Sequence, residues 1–349
     1  MSEELVDSYS RKMDYLRLSV TDRCNLRCIY CMPEDGIKLI DKKELLTFEE
    51  IIRVVKILSE LGIKKIRITG GEPLLRENIL GLIDKINKVD GIEDLSLTTN
   101  GTLLDRYLSK LYRVGIKRLN VSLDSLNPKK YKMITRGGEL SQVLDGIFGA
   151  LKIGFKPVKI NVVMTHFLDE KDILDFIKLS IENPISIRFI EMMPVVDLSN
   201  IECGNTGMVK SDNKSNKSLN NNYFTNKIFS IMGNNGGYYK IDGPVGYGPA
   251  IYYKLKGSIG SIGFILNDKK FCRLCSRIRL TPRGTIKLCL FSKWEFDMKT
   301  KIRNGASDED IKKQVMIFIK KKPKNRDSSN NYGSYGDLKI PDYMNQIGG

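Results

Sequence analysis

Between residues 14 and 194 the chain repeats one unit six times: a short apolar, β-branched run followed by a stretch with helical character. The runs at 15–20, 65–68, 95–98, 118–123, 158–164 and 186–190 are predicted strands. Among the stretches between them, 47–61 places Ile51, Val54, Val55 and Leu58 on one helical face, and Thr47 with Glu50 predicts a capping box at its start. Repeated strand–helix units build a parallel sheet, either open or closed into a barrel.

Polar residues gather on and just after these strands. Arg17 lies on the first, Thr69 to Pro73 follow the second and Thr98 to Gly101 end the third. Ser122 to Ser125 end the fourth, Lys159 and Asn161 lie on the fifth, and Arg188 to Met193 end the sixth. In (β/α) barrels the active site is built at the C-terminal ends of the strands. Six consecutive units with such groups point to one site at a barrel mouth.

Two cysteine triplets lie far apart in the chain. Cys24, Cys28 and Cys31 have the spacing C-x3-C-x2-C directly after the first strand, and Cys272, Cys275 and Cys289 have C-x2-C-x13-C. Three thiolates can hold three corners of a [4Fe–4S] cube and leave one iron open to a chelating small molecule. A zinc site would need a fourth ligand, and the only histidine, His166, lies in neither cluster. Seven cysteines, an odd number, and a polar N-terminus argue against a disulfide framework.

At 349 residues with 41% hydrophobic content, the chain can build a sizeable core, and no apolar run approaches the length of a membrane span. Reduced thiols suit a cytoplasmic location. The net charge of +16 is scattered over helices that also carry acids, so a solvated surface is expected rather than a nucleic-acid interface. The segment 205–226, rich in Asn, Ser and Lys, reads as a flexible insertion, and 320–337 as a second low-complexity stretch. The predicted division is a barrel over 1–198, an insertion-containing connection over 199–240, a C-terminal segment with the second triad over 241–319, and a tail over 320–349 ending in Gly348 and Gly349.

The first triad after the first strand, with Gly70-Gly71-Glu72-Pro73 at the next strand end, resembles the radical S-adenosylmethionine (SAM) superfamily. The resemblance narrows through Y-L-R-L-S-V-T-D-R-C-N-L-R-C at 15–28, K-I-R-I-T-G-G-E-P-L-L-R at 65–76, N-V-S-L-D-S at 120–125, R-F-I-E-M-M-P at 188–194, G-P-A at 248–250 and F-C-R-L-C-S-R-I-R-L-T at 271–281. These are similar to the MoaA family, the GTP 3′,8-cyclases of molybdenum cofactor biosynthesis. The resemblance implies an α/β fold, an incomplete (β/α)6 radical SAM barrel with a C-terminal extension carrying a second iron–sulfur cluster. It implies two [4Fe–4S] clusters and SAM as cofactors, with Cys24, Cys28 and Cys31 holding the SAM cluster and Cys272, Cys275 and Cys289 the substrate cluster. Tyr30, Gly71, Ser122 and Met193 would contact SAM. Arg17, Arg67, Thr98, Lys159, Arg277 and Arg279 would hold GTP with help from Arg188, and Gly348 and Gly349 would be needed for turnover. A 5′-deoxyadenosyl radical would abstract the ribose 3′ hydrogen, and the product would be (8S)-3′,8-cyclo-7,8-dihydroguanosine 5′-triphosphate. An external electron donor, a following enzyme of the pathway and a homodimer are the implied partners, with no nucleic acid and no membrane. Two other classes compete: a radical SAM enzyme acting on a peptide or RNA, and a non-catalytic iron–sulfur carrier. The arginines between Cys275 and Cys289 favour a compact polyanion over the first, and open irons disfavour the second.

Overall fold

The structure, a computed structural model, describes residues 4–192, 221–244, 248–266, 269–291 and 294–325. Its centre is six parallel strands in sequence order: β1 (Tyr15–Ser19), β2 (Lys65–Thr69), β3 (Asp94–Thr99), β4 (Arg118–Ser122), β5 (Val158–Met164) and β6 (Ile185–Glu191). Helices α1 (Phe48–Glu60), α2 (Ile79–Asn87), α3 (Leu104–Arg113), α4 (Pro128–Thr135), α5 (Leu140–Ile153) and α6 (Glu170–Glu182) make the crossovers. The capping box forms as the sequence predicts: Glu50 N donates to Thr47 Oγ1 at 3.2 Å, and Thr47 N donates to Glu50 Oε2 at 2.8 Å.

The strands alternate with period two, and this alternation positions the site. One face carries Leu16, Leu18, Ile66, Ile68, Leu97, Val121, Ile160 and Phe189, all buried in one core with Val54, Leu58, Ile83, Leu108 and Ile177 of the helices. Burial of each such side chain contributes about 1.5–3 kcal/mol. The opposite face carries Arg17, Arg67, Ser96, Thr98, Asn120, Lys159, Asn161 and Arg188. Strands of a parallel sheet covered on both sides are normally apolar throughout. A cationic inner face is therefore a lumen suited to an anion rather than a packing surface.

The C-terminal part extends this sheet at both edges. It comprises α7 (Asn221–Asn234), β7 (Tyr238–Ile241), β8 (Ile251–Leu255), β9 (Ser261–Ile265), α8 (Lys269–Arg273), β10 (Arg277–Leu280), β11 (Thr285–Lys287), β12 (Glu295–Asp297), α9 (Met298–Arg303) and α10 (Asp308–Ile319). Strand β9 joins β6 in parallel with Arg188 opposite Gly263, and β10 joins β1 in parallel with Leu16 opposite Ile278. The chain from β9 to β10 thus passes from one edge of the six-stranded core to the other, across its open side.

Two expectations are corrected. Residues 221–226, read as part of a flexible insertion, begin α7; Phe224, Ile228 and Ile231 recur at helical spacing and are buried, and Lys227 pairs with Glu170 of α6 at 3.1 Å. Residues 320–325, read as the start of a low-complexity stretch, include Lys322, which is buried. Among the described residues no helix is long and apolar enough to cross a membrane.

Candidate active site

The loop after β1 carries the first triad. Cys31 N and Met32 N both donate to Cys28 O, at 2.9 and 3.2 Å, which winds the loop tightly around Cys28. The Cys24 sulfur accepts from Leu26 N at 3.5 Å and from Asn100 Nδ2 at 3.7 Å. The glycines after β2 brace this loop. Gly71 N donates to Thr21 O and Glu72 N to Arg23 O, each at 2.7 Å. A Cβ on Gly71 would lie 2.3 Å from Arg23 O, which only backbone movement could relieve. Gly71→Ala is therefore expected to cost about 1–3 kcal/mol through overpacking and to shift the cysteine loop. A thermal melt beside iron analysis checks this: Tm and the iron content of the first triad should fall together.

Glu72 follows these glycines. It is fully buried, and its carboxylate accepts from Leu74 N at 3.0 Å, Thr99 Oγ1 at 2.9 Å and Asn100 N at 2.7 Å. Burial pushes it up to about 7 against those three hydrogen bonds. It ties the loop after β2 to the loop after β3, which supplies Asn100 to Cys24. On the far wall Tyr30 donates to Asp124 Oδ2 at 2.6 Å, and Asp124 Oδ1 accepts from Val163 N at 2.8 Å. Burial holds Asp124 up at about 6 despite both bonds.

The C-x2-C-x13-C spacing of the second triad is a hairpin. Cys272 lies on α8, and Cys275 N donates to Cys272 O at 3.2 Å. β10 and β11 pair antiparallel with Arg279 opposite Lys287, and Gly284 closes the turn at φ +85°. Cys289 follows the end of β11 by two residues, and Cys275 precedes the start of β10 by two, so both stand at the open end of the hairpin.

The donor sets fit clusters. All six cysteines are free thiols. Burial raises Cys24, Cys28 and Cys31; Cys31, Asp124 and Cys24 add to it at Cys28. Three thiols crowded in this way ionise only beside strong positive charge, which ferrous and ferric iron supply. Among the described residues no three His, Cys, Asp or Glu side chains are grouped to hold a single ion. A cube spreads its thiolates over separate irons, so a wider grouping is what it requires.

Cations line the space between the triads. Arg279, Arg17 and Arg67 are register partners on adjacent strands. Two charges about 5 Å apart at an effective dielectric of 20 repel by about 3 kcal/mol. Burial lowers Arg17 well below its ordinary value, with Arg279, Arg67 and Arg277 adding to the effect. Burial and Arg277 lower Arg279 to about 10, and burial, with Arg67 adding, brings Arg188 to about 10. Burial followed by Arg188, Arg67 and Arg118 brings Lys159 to about 7.

One cavity of about 370 Å³ reaches both triads. All six cluster cysteines line it, with Arg17, Arg67, Thr98, Arg188, Arg277 and Arg279, and with Tyr30, Gly71 and Ser122 on the side of the first triad. Lys159 is not part of the lining; its Nζ donates to Pro244 O at 3.4 Å and faces the Tyr252 ring. Met193, Cys203, Gly348 and Gly349 lie outside the described residues. An apolar wall of Phe271, Leu288, Leu290 and Phe291 completes the lining. It escaped the sequence reading because apolar residues beside cysteines look like ordinary packing.

A cationic lumen with a tri-cysteine loop at its mouth defines a radical SAM enzyme. The Radical SAM superfamily pattern matches residues 18–180, and that of Molybdenum Cofactor Synthesis C matches 185–328. The chain is 43% identical over 346 residues to the GTP 3′,8-cyclase of Syntrophomonas wolfei, covering 99% of this chain and 100% of that protein. It is 41% identical over 349 residues to the GTP 3′,8-cyclase of Desulforamulus reducens, covering 99% and 100%. The chain belongs to the GTP 3′,8-cyclase family, MoaA. Streptococcus suis SuiB bound to S-adenosylmethionine shares the fold at a TM-score of 0.54 and 14% identity, covering 83% of this chain and 64% of that one.

Proposed function

We propose that this chain converts GTP to (8S)-3′,8-cyclo-7,8-dihydroguanosine 5′-triphosphate, the first step of molybdenum cofactor biosynthesis. The observation that carries this is the single cavity lined by both cysteine triads with buried arginines between them. Cys24, Cys28 and Cys31 would hold one [4Fe–4S] cluster, and Cys272, Cys275 and Cys289 the other. Together with SAM the first cluster supplies one-electron cleavage and hydrogen abstraction.

The residues of the chain do the rest. Tyr30, Gly71, Ser122 and Met193 would bind SAM. Arg17, Arg67, Thr98, Arg277 and Arg279, with Lys159 and Arg188 behind them, would hold GTP. Guanidinium forks match phosphate oxygens in pairs, and a polyanion relieves the repulsion among these cations. Phe271, Leu288, Leu290 and Phe291 exclude water from the reacting atoms. Gly348 and Gly349 would take part from the tail. The division at 198, 240 and 319, a cytoplasmic location and a homodimer belong to the same proposal. So do an external electron donor, which the reductive cleavage consumes, and a following enzyme that takes up the cyclic nucleotide.

Anaerobic incubation with SAM, a reductant and each nucleoside triphosphate in turn tests the proposal. A cyclised product from GTP alone is expected; product from none of them, with SAM cleaved equally throughout, contradicts it.

A pH effect follows from Lys159. In the ligand-free fold it holds its proton only below about 7, whereas unfolded it holds it to about 10.5. The unfolded state therefore binds more protons between those values, and ligand-free stability rises with pH across that window. A triphosphate among Arg67 and Arg188 reverses the repulsion, so GTP binding at pH 8 should take up as much as one proton. Calorimetry in buffers of different ionisation enthalpy measures it. The uptake should vanish in Lys159→Met and shrink toward pH 6.

A further inference from the structure

Lys322 is a buried charge that the site as described does not use. It ends a run of three lysines, Lys320 to Lys322, a pattern that normally marks a solvated surface, yet it is only 3% exposed. Its ammonium donates to Arg277 O at 2.7 Å and to Leu288 O. Arg277 follows Cys275 by two residues, and Leu288 immediately precedes Cys289. Among the described residues these hydrogen bonds go to carbonyls alone, with no carboxylate. A buried ammonium without a counter-charge costs several kcal/mol or gives up its proton, so a counter-charge is called for.

The second triad provides one. Both acceptor carbonyls lie within two residues of a cysteine of that triad, Arg277 of Cys275 and Leu288 of Cys289. The segment is also fastened to the triad by a second cation. Arg11, held by Asp7 at 2.5 Å, donates through Nη1 to Cys272 O at 2.5 Å and to Lys324 O at 3.1 Å, and through Nη2 to Pro323 O at 2.7 Å. Lys322 is thereby fixed beside the end of the β10–β11 hairpin rather than free to turn to solvent.

We propose that Lys322 is the charge partner of the second cluster, a positioning residue that pins Arg277 and Leu288 beside the cysteines and holds the cluster's reduction potential up. A cluster gains negative charge on reduction, and a fixed cation beside it stabilises the reduced form, since net charge and hydrogen bonding set these potentials. Arg277 is a second cation at Cys275, and its side chain also lines the cavity, where a substrate anion would compete for it. Lys322 acts from behind the hairpin and touches neither substrate nor SAM. This inference rests on the assignment of Cys272, Cys275 and Cys289 to a cluster.

The test uses the full-length, anaerobically reconstituted holoenzyme as wild type, Lys322→Met and Lys322→Arg. Methionine keeps most of the side-chain length without the charge, and arginine keeps the charge. Iron content is measured beside a redox titration followed by electron paramagnetic resonance. The first cluster is the signal that responds to SAM, and the second is the one that responds to GTP. The expected result is a more negative midpoint for the GTP-responsive cluster in Lys322→Met, an unmoved SAM-responsive cluster, and a near-wild-type value in Lys322→Arg. Loss of the second cluster in Lys322→Met with retention in Lys322→Arg also supports a charge role. An unshifted midpoint in Lys322→Met, equal shifts of both clusters, or loss of the second cluster in both variants would overturn the proposal. Only one cluster in the wild type would instead sink the cluster assignment beneath it.

Discussion

Cys28→Ala is expected to end SAM cleavage altogether, whereas Cys275→Ala is expected to keep some SAM cleavage and lose all cyclised product. The difference follows from where the triads sit. Cys28 is at the centre of the loop after β1, its carbonyl accepting from both Cys31 N and Met32 N, on the side of the cavity lined by Tyr30, Gly71 and Ser122. Removing that thiol leaves the cube with two ligands and SAM without its iron. Cys275 stands just before β10, two residues from Arg277, and lines the same cavity. Its loss should spare the first cluster and remove the proposed hold of the second cluster on the substrate. Chromatography of 5′-deoxyadenosine and of the cyclic nucleotide, with iron counted in each variant, measures both halves. Cyclic product at an ordinary rate from Cys275→Ala would show that the second triad has no part in holding substrate.

Arg279→Ala and Arg277→Ala are each expected to weaken GTP binding by about 1.5–3 kcal/mol, the range of a lost charge-assisted contact, which is about 10- to 150-fold in Kd. Arg279 should fall toward the lower end. It stands between Arg277 and Arg17, and its removal relieves repulsion in the ligand-free lumen as well as costing a contact to the anion. Arg277 should fall higher, because Cys275 and Cys289 favour its charge against burial. SAM affinity should stay within about twofold, since both side chains belong to β10, which follows the second triad. Titration of each ligand into each variant decides it, and equal losses for SAM and GTP would indicate a disturbed fold instead of a lost contact.

Much of the barrel was legible in the sequence because its signals are local. The six strands are β-branched runs, and their alternating Arg, Ser, Thr and Asn set against Leu, Ile and Val separates lumen from core by period two alone. The capping box of α1 needed only Thr47 and Glu50. What escaped is non-local. The alternation of Arg277 and Arg279 reads as a strand, but its pairing with β1 more than 250 residues away does not, and β11 and β12 have three residues each, too short for a periodic signal. The thirteen-residue gap before Cys289 carried no sign that it closes as a hairpin. Helix α7 was masked by its asparagines, although Phe224, Ile228 and Ile231 kept helical spacing. Gly71, expected to contact SAM, lines the cavity, and its close packing against the backbone of Arg23 was not legible. Lys322 looks like an exposed charge in sequence, and the burial of Glu72 and Lys322 rests on distant partners, Thr99 and Asn100 in one case and Arg277 and Leu288 in the other.

The central claim is that one lumen brings SAM and GTP together, so that hydrogen passes directly from one to the other. It is tested by incubating the reconstituted protein with SAM, a reductant and GTP deuterated at the ribose 3′ carbon, then weighing the products by mass spectrometry. Deuterium transferred to 5′-deoxyadenosine, one atom for each cyclic nucleotide formed, is the predicted result. Deuterium retained in the nucleotide, with unlabelled 5′-deoxyadenosine accumulating beside it, would contradict the claim.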